Sequence, residues 1–292
     1  MRLGNVAWCW IHPEETPRGD RLFRIADEVA ALGFSCIDLI GSRDAINNYY
    51  TPAVVQQLRG YIAGKGLDIT AFVSSTPDLN HPDRAERQRV LDDFARAVDI
   101  TAALGCQHIN TTIPRPGGAT RKPCGPGSAD KETFVMPEGY DFQRDWEAFT
   151  ESVAWCAERA GKAGLKLSLE CFATSICPTP HAWLMLFDAV RKPNLGIQLD
   201  TSHLVAQRFD VVTAIHMIPG RVVHVHCKDN DGMARGNLPP GSGIIDYPEV
   251  VKALRQTGFD GVLSVEVEFT NNPRRFVRQA KEHLEQVLRD EY

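Results

Sequence analysis

The residues best placed to do chemistry are three carboxylates and one imidazole. Each of them ends a short apolar run in the second half of the chain. Glu170, Asp200, His226 and Glu266 end the runs 167–170, 197–200, 222–226 and 263–266. A lone charge buried at such a position is costly unless it is paired or binds a metal. Each residue alone is readily explained as a helix cap, an ion-pair partner or a core histidine. Four in consecutive strands instead predict a joint site for one divalent metal ion.

The donor types indicate which metal this ion is. Three carboxylates and one imidazole offer hard oxygen atoms and a single nitrogen. Such a set suits Mn²⁺, Mg²⁺ or Co²⁺ better than a structural zinc, for which cysteines are usual. We expect Mn²⁺, with Mg²⁺ and Co²⁺ as alternatives.

Two of the four ligands have a competitor, because residues i and i+2 of a strand point to the same side. His224 precedes His226, and Glu268 follows Glu266. We assign the metal to His226, which lies nearer the end of its strand, and regard His224 as a core or supporting histidine. Glu266 is preferred for its spacing from the preceding glycine, and Glu268 is left to bind a lysine or a substrate hydroxyl.

The elements that must position these residues follow a repeated pattern. Helix-like segments end in a glycine, which supplies a left-handed C-cap, and a β-rich run follows within a few residues. The glycines are Gly33, Gly66, Gly105, Gly164 and Gly258. The expected strands are 6–10, 36–40, 69–74, 108–113, 166–172, 195–200, 222–226 and 262–269.

Amphipathic stretches lie between these runs, and prolines at positions 52, 180, 248 and 273 stand where first helical turns should begin. Alternating strands and helices require parallel strands, and about eight such units close into a single (β/α)₈ TIM barrel. We therefore predict an α/β fold with one domain over residues 1–292. An open doubly wound sheet is the alternative, but residues 6–17 lack the glycine-rich fingerprint that it would carry after its first strand.

Residues 114–141 break the alternation, because they are rich in proline and glycine and carry little apolar periodicity. The segment is too long for an ordinary loop between a strand and a helix. It follows the strand expected to end at Ile113, which places it at the C-terminal face of the barrel, where an active-site lid would lie. A surface insertion or a subunit contact is the alternative.

Composition bears on partners and location. With 43% hydrophobic residues and a net charge of -5, the chain has no basic field to attract nucleic acid and no apolar run long enough for a membrane span. Eight cysteines are scattered without a Cys-x-x-Cys pair, so we expect buried, reduced thiols. Without a signal peptide, the expected location is the cytoplasm. A small metabolite is the expected ligand, and assembly into a homo-oligomer is left as an open alternative.

Four motifs carry a family resemblance that covers nearly the whole chain. They are LDTSH at 199–203, HVHCKD at 224–229, PGSG at 240–243 followed by Asp246 and Tyr247, and FDG at 259–261, five residues ahead of Glu266. With these motifs the chain resembles the xylose isomerase-like barrel superfamily of sugar isomerases and epimerases. That group includes ketose 3-epimerases, inosose dehydratases and, more distantly, endonuclease IV.

The resemblance implies roles for the residues that spacing had grouped. Its metal ligands correspond to Glu170, Asp200, His226 and Glu266, and His203 is implied to face substrate oxygens. In the epimerase branch one glutamate removes a proton beside a carbonyl and the other returns a proton to the opposite face. The metal would stabilise the enediolate formed between these steps. The implied substrate is a carbohydrate or a polyol.

Further residues are expected near the substrate because we place them at or beyond strand ends. His108 and Lys228 are the preferred substrate-binding candidates. Others with a weaker case are Trp8, His12, Asp38 and Phe72.

Departures from the family pattern narrow the expected substrate. Ketose-type epimerases commonly place an arginine six residues after the metal histidine, but here Gly232 stands at that position and Arg235 follows three residues later. This difference moves the expectation away from free ketoses. Residues 230–247 contain no histidine, so a three-zinc nuclease site is not expected. The glycines at 241 and 243 would form either a phosphate cradle or a plain turn, and the turn is preferred.

These observations predict a divalent-metal-dependent isomerase or epimerase that removes a proton alpha to a carbonyl of a sugar or keto-polyol. If the same enediolate expels a β-hydroxyl or a glycosidic oxygen, the enzyme is instead a dehydratase or lyase that acts on an inosose or a 3-keto-glycoside. A catalytically silent barrel that binds a sugar is the alternative of another class.

Overall fold

The computed structural model describes residues 1–11, 20–76, 78–123, 132–233, 236–268 and 270–290. The strands in these residues are β1 (Arg2–Val6), β2 (Cys36–Ser42), β3 (Asp68–Ser75), β4 (His108–Thr112), β5 (Thr120–Pro123), β6 (Glu132–Val135), β7 (Lys166–Glu170), β8 (Leu195–Asp200), β9 (Val222–Cys227) and β10 (Val262–Val265). All but β5 and β6 form a closed parallel barrel in the order β1-β10-β9-β8-β7-β4-β3-β2. The predicted (β/α)₈ TIM barrel is therefore confirmed.

Helices cover the outside of the barrel. They are α1 (Arg21–Ala31), α2 (Arg43–Asn48), α3 (Pro52–Gly64), α4 (Arg84–Leu104), α5 (Phe142–Lys162), α6 (Pro180–Val190), α7 (Thr201–Ala206), α8 (Val211–Met217), α9 (Tyr247–Gln256) and α10 (Pro273–Asp290). The prolines open α3, α6 and α10 and stand second in α9, as their missing N–H groups predict. The five glycines of the repeated pattern have positive φ values of 75° to 85°. Glycine adopts this left-handed conformation without strain, so the chain turns sharply into the next strand.

The strand register brings polar side chains together inside the barrel. Glu170 pairs with Gln198 across β7 and β8, and Asp200 pairs with His226 across β8 and β9. Paired positions of parallel strands point to the same side, so alternate residues of these strands share the interior. Asn110, Ser168 and Ser264 are fully buried, which makes the interior polar. The apolar core lies instead between the strands and the helices.

The first and last strands differ from their predicted extents. β1 occupies Arg2–Val6 rather than 6–10, because Ala7–Trp10 form a short 3-10 helix. Gly4 interrupts the apolar pattern at the start of this strand, so the strand is not recognised there from the sequence. A side chain there would meet the neighbouring Val262 and Ser264 of β10, so a small residue interrupts the apolar pattern. β10 ends at Val265 rather than at 269.

Part of the segment 114–141 forms an antiparallel hairpin of β5 and β6, which the prediction of an irregular loop missed. Its base is fixed by Asp145, near the start of α5. The Asp145 carboxylate accepts hydrogen bonds from Asn80 Nδ2 (2.8 Å), the Gly117 amide (2.8 Å) and the Tyr140 hydroxyl (2.8 Å). Residues 124–131 lie outside the described part of the chain, and the lid role stays a prediction.

The cysteines of the described residues are buried and unbridged. Burial raises the pKa of the Cys9 thiol to about 12, and it raises the pKa of the Cys171 thiol well above its usual value. The eighth cysteine, Cys124, lies outside the described residues. Among the helices described, none combines the length and the apolar character needed to cross a bilayer.

Crowding inside the barrel predicts the effect of one substitution. A Cβ on Gly196, in β8, would overlap the Arg221 carbonyl oxygen and the Val223 side chain. Gly196→Ala should therefore lower the free energy of unfolding by about 1–3 kcal/mol, as overpacking usually does. Urea unfolding followed by circular dichroism measures this change.

The matched control is Gly60→Ala, on the exposed face of α3, where nothing lies within 4 Å of the new methyl group. Alanine favours helix over glycine, so this variant should gain about 0.5–1 kcal/mol. Equal stability of the two variants would contradict the crowding at Gly196.

Candidate active site and metal centre

The four residues grouped by sequence meet at the mouth of the barrel. Glu170 and Asp200 end β7 and β8, His226 is the penultimate residue of β9, and Glu266 follows β10 directly. All four are buried, with 1% to 6% of their surface exposed. One potential ligand atom from each lies within 4.8 Å of the others. Three carboxylates and an imidazole thus surround one small volume.

His226 Nδ1 lies at the centre of this group. It is 3.2 Å from Glu170 Oε1 and 3.2 Å from Glu266 Oε2. The amide nitrogen of Gln198 is also 3.2 Å from Nδ1. Asp200 caps α7, because its Oδ1 accepts a hydrogen bond from the His203 amide (2.9 Å). This cap fixes the carboxylate and leaves Oδ2 to face the group.

A buried lysine lies against the same carboxylates. Lys228 Nζ is 3.1 Å from Asp200 Oδ2, 2.9 Å from Glu266 Oε2 and 3.1 Å from Glu268 Oε2. Its backbone is held by Thr201, whose hydroxyl donates to the Lys228 carbonyl oxygen at 2.7 Å. The ammonium therefore has a fixed position at the edge of the mouth.

Burial and neighbouring charge act in opposite directions on these groups. Burial lowers the pKa of Lys228, but Asp200, Glu266 and the other carboxylates outweigh it and hold that pKa well above its usual value. Burial likewise disfavours the charged form of Glu266, but Lys228 and His226 hold its pKa well below the usual range. The pKa of Glu268 is raised, by burial first and then by the charge of Glu266. The lysine and Glu266 are therefore both ionised at neutral pH.

The arrangement fits a divalent metal ion. Asp200 Oδ2 and Glu266 Oε2 are buried and accept no hydrogen bond of ordinary geometry, although both lie near Lys228. Buried oxygens of this kind are normally satisfied by a donor or a cation. Three carboxylates, those of Asp200, Glu266 and Glu268, contact the lysine ammonium, and Glu170 adds a fourth acidic group nearby. An excess of negative charge therefore remains that a divalent cation would offset. An oxygen-rich set with one imidazole suits Mn²⁺, Mg²⁺ or Co²⁺.

The two competing residues take other partners. Glu268 is outside the group of four and pairs with Lys228, while Glu266 lies inside it. His224 Nε2 is 2.7 Å from Asp38 Oδ2, deeper in the barrel. Asp38 and His224 also form a second group of potential donors with His226, but these two already satisfy each other. The first group is therefore the better candidate metal centre.

The structure does not bring every predicted substrate residue to the mouth. His203 is there, in α7, with its Nε2 3.5 Å from Asp200 Oδ2 and its ring centroid 4.6 Å from that of Phe172. His108 is not, because it is the first residue of β4 and lies at the opposite end of that strand. Its ring packs on His224 with centroids 4.7 Å apart, and burial together with the charge of His224 lowers its pKa.

The weaker candidates have mixed outcomes. Phe72 packs against Tyr50, on the helix side of the barrel wall, rather than in the mouth. Asp38 lies within β2 and Trp8 in the 3-10 helix after β1. His12 and Arg235 lie outside the described residues.

Sequence reasoning missed Asp229, which organises the loop after β9. Its carboxylate accepts hydrogen bonds from the backbone amides of Asn230 (2.8 Å), Gly241 (3.0 Å), Gly243 (2.9 Å) and Ile245 (3.1 Å). The glycine run is therefore a turn closed by Asp229 rather than a phosphate cradle, because its amides are already engaged. The signal in the sequence was an acidic residue two positions after a buried strand.

Gln198 was also missed, although its position two residues before Asp200 on a strand places it on the same side. It is fully buried beside His226.

The closed parallel barrel agrees with a comparison of the sequence with known families. Residues 26–287 match the model of the xylose isomerase-like TIM barrel. The chain belongs to this family. The match leaves out residues 1–25, which contain β1, the 3-10 helix and the start of α1, and residues 288–292.

Relatives within the family include two kinds of sugar enzyme. The chain is 27% identical over 212 residues to a ketose 3-epimerase of Arthrobacter globiformis, which covers 71% of the chain and 66% of that protein. It is 22% identical over 318 residues to an inosose dehydratase of Geobacillus kaustophilus, and that alignment covers 99% of the chain and 95% of the dehydratase. Alignments to four curated relatives, the ketose 3-epimerase among them, span 49% to 66% of those proteins' length.

A solved structure of an L-ribulose 3-epimerase has the same fold. It superimposes with a TM-score of 0.79 at 20% sequence identity, over 99% of the chain and 95% of that structure. At this identity the likeness concerns the barrel and its topology.

If the four grouped residues bind a metal ion, substitutions of Glu266 and Glu268 should differ in their effect on Mn²⁺ binding. Glu266→Gln should weaken Mn²⁺ binding by about 10- to 100-fold or more, because losses even of outer-shell partners have this size. Mn²⁺ should then raise the melting temperature of the variant less than that of the wild type. Glu268→Gln leaves the four donors in place and should keep the Mn²⁺-dependent rise. The reverse result would assign the metal to Glu268.

Proposed function

We propose that the chain is a divalent-metal-dependent isomerase or epimerase that removes a proton alpha to a carbonyl of a sugar or keto-polyol. The observation that carries this proposal is the pair of carboxylates at His226 Nδ1. Glu170 and Glu266 reach it from β7 and from the end of β10, which two other strands separate. Two carboxylates that approach one small volume from different strands suit an acid and a base for the two faces of one carbon.

The glutamates perform the proton transfers in this proposal. One carboxylate takes the proton from the carbon beside the carbonyl, which leaves an enediolate on the substrate. The other carboxyl group returns a proton to that carbon from the opposite face, so that configuration is inverted, or to the neighbouring carbon, so that the carbonyl moves. The burial of both side chains keeps bulk water from competing for the proton.

The remaining residues bind and orient the substrate. His203, beside Phe172, and Lys228, beside Glu268, present a ring nitrogen and an ammonium group to the mouth, where sugar oxygens would lie. A cation held by Glu170, Asp200, His226 and Glu266 would stabilise the negative charge that develops on the substrate oxygens. Fixed donors of this kind lower the barrier because they need no reorganisation during the reaction.

A dehydratase or lyase is the second candidate. It shares the first proton transfer, after which the enediolate expels a β-hydroxyl or a glycosidic oxygen. The end-to-end alignment with an inosose dehydratase supports this candidate. So does Gly232, which replaces an arginine common in ketose-type epimerases. A silent sugar-binding barrel is less well supported, because it would be expected to lose a ligand and all four donors are together.

Solvent exchange tests the proton transfer. With Mn²⁺ in D₂O, the wild type should incorporate deuterium beside the carbonyl of at least one member of a panel of ketoses, inososes and 3-keto-sugars. Glu170→Gln and Glu266→Gln should each slow this incorporation by about 10²- to 10⁴-fold, the usual contribution of a general base. Mass spectrometry of the recovered substrate measures it.

The exposed Glu249→Gln, on α9, is the control and should exchange like the wild type. A chelator should stop exchange in the wild type and added Mn²⁺ should restore it. Undiminished exchange in both active-site variants would refute the roles of the glutamates.

The nature of the product separates the two candidates. An isomerase or epimerase should return a saturated sugar of changed configuration or carbonyl position, visible by NMR. A dehydratase or lyase should give an enone with strong ultraviolet absorbance. Enone formation at the rate of deuterium incorporation would establish the second candidate, and exchange without absorbance would establish the first.

A further inference from the structure

A groove opens beside the candidate site on the C-terminal face of the barrel. Its volume is about 530 Å³, which lies within the range of small-molecule sites. Its walls come from the loops that follow β3, β4 and β7. The lining includes Asp78, Asn80, Thr112, Arg115, Phe172 and Thr174.

The groove adjoins Glu170, one of the two carboxylates in the proposed proton transfers. Thr112, at the end of β4, is the register partner of Glu170 in β7. Register partners in adjacent strands are about 5 Å apart, and both side chains of such a pair point to the same side. Phe172 lines the groove two residues after Glu170 and touches His203. A substituent on a sugar at Glu170 would therefore enter the groove directly.

Hydrogen bonds between the loops hold the walls in place. Asn80 Nδ2 donates to the Arg115 carbonyl oxygen (2.7 Å) and to Asp145 (2.8 Å). The Ile176 amide donates to the Pro114 carbonyl oxygen (2.8 Å), which joins the loop after β7 to the loop after β4. A groove fixed in this way is preformed, so a ligand loses less free energy in ordering it.

The lining has the chemistry of a carbohydrate site. Phe172 is partly exposed and offers an aromatic surface for the apolar face of a sugar ring. Thr112 and Thr174 contribute hydroxyl groups, and Asp78 and Arg115 contribute a carboxylate and a guanidinium group. Asp78 also has a positive φ of 72°, a strained conformation for a residue with a side chain. Such strain is concentrated at ligand-binding segments.

We propose that this groove binds a second sugar ring, joined by a glycosidic bond to the keto-sugar whose proton Glu170 removes. The inference rests on the proposed function and gives it a substrate class, a keto-glycoside rather than a free monosaccharide. A free sugar fills the mouth at Glu170 and leaves the groove to water. A disaccharide adds the contacts of the second ring to its binding free energy.

The test compares 3-keto-maltose with 3-keto-glucose, which lacks the second ring. For deuterium incorporation, kcat/KM should be higher for 3-keto-maltose than for 3-keto-glucose by about tenfold or more. The dissociation constant, measured by calorimetry on the Mn²⁺-loaded protein, should be lower for 3-keto-maltose by about the same factor. Thr174→Phe places a bulky ring in the groove and should lower both ratios by about tenfold.

Ala173→Phe is the matched control, because Ala173 is exposed in the same loop and does not line the groove. It should keep the wild-type ratios. Ratios near one in the wild type, or an equal effect of the two phenylalanine variants, would overturn the groove proposal even if exchange is observed. Tighter binding of 3-keto-maltose that Thr174→Phe removes, with no exchange on either sugar, would uphold the groove as a binding site and refute proton removal from a keto-glycoside.

Discussion

Charge buried at the mouth of the barrel is the constraint on which the rest of this structure depends. The carboxylates of Glu170, Asp200 and Glu266 lie around His226, and Lys228 lies against two of them. Ionised groups are stable away from water only when other charges or dipoles replace it. Glu170, Asp200, His226 and Glu266 come from four different strands or strand ends, and Lys228 directly follows the strand of His226. The barrel itself therefore fixes their separation. A site built on strands holds its geometry better than one built on loops.

The interior of the barrel is adapted to this charged mouth. Many barrels fill their centre with branched apolar residues. Here the layer beneath the site contains Asp38, which accepts hydrogen bonds from His224 at 2.7 Å and from Thr70 at 2.6 Å. His224 holds the pKa of Asp38 below its usual range even though burial opposes ionisation. The apolar contacts that stabilise the fold lie outside the strands, and the interior positions are therefore free to support the site.

The sequence predicted the barrel and the grouping of the four donors because both depend on local patterns. Glycine caps mark where helices end, and residues that close parallel strands must meet at one face. His108 opens its strand in the prediction and in the structure alike, so it lies at the end of β4 away from the mouth, and its role in binding substrate stays a prediction. Asp229 and Asp145 were overlooked because their partners include backbone amides more than ten residues away, such as Gly243 and Gly117. The positions of such partners follow from the tertiary fold rather than from any periodicity.

Asp145 has a consequence for how such a protein can change during evolution. Its carboxylate ties Gly117 and Tyr140 together at the base of the inserted hairpin, while a separate hydrogen bond joins the loop after β4 to the loop after β7. Among the described residues, Asp145 is thus a buried anchor for the base of the insertion. Changes in the length and sequence of the hairpin beyond this anchor leave the strands that carry Glu170, Asp200, His226 and Glu266 in place, so insertions can accumulate there at little cost to the barrel.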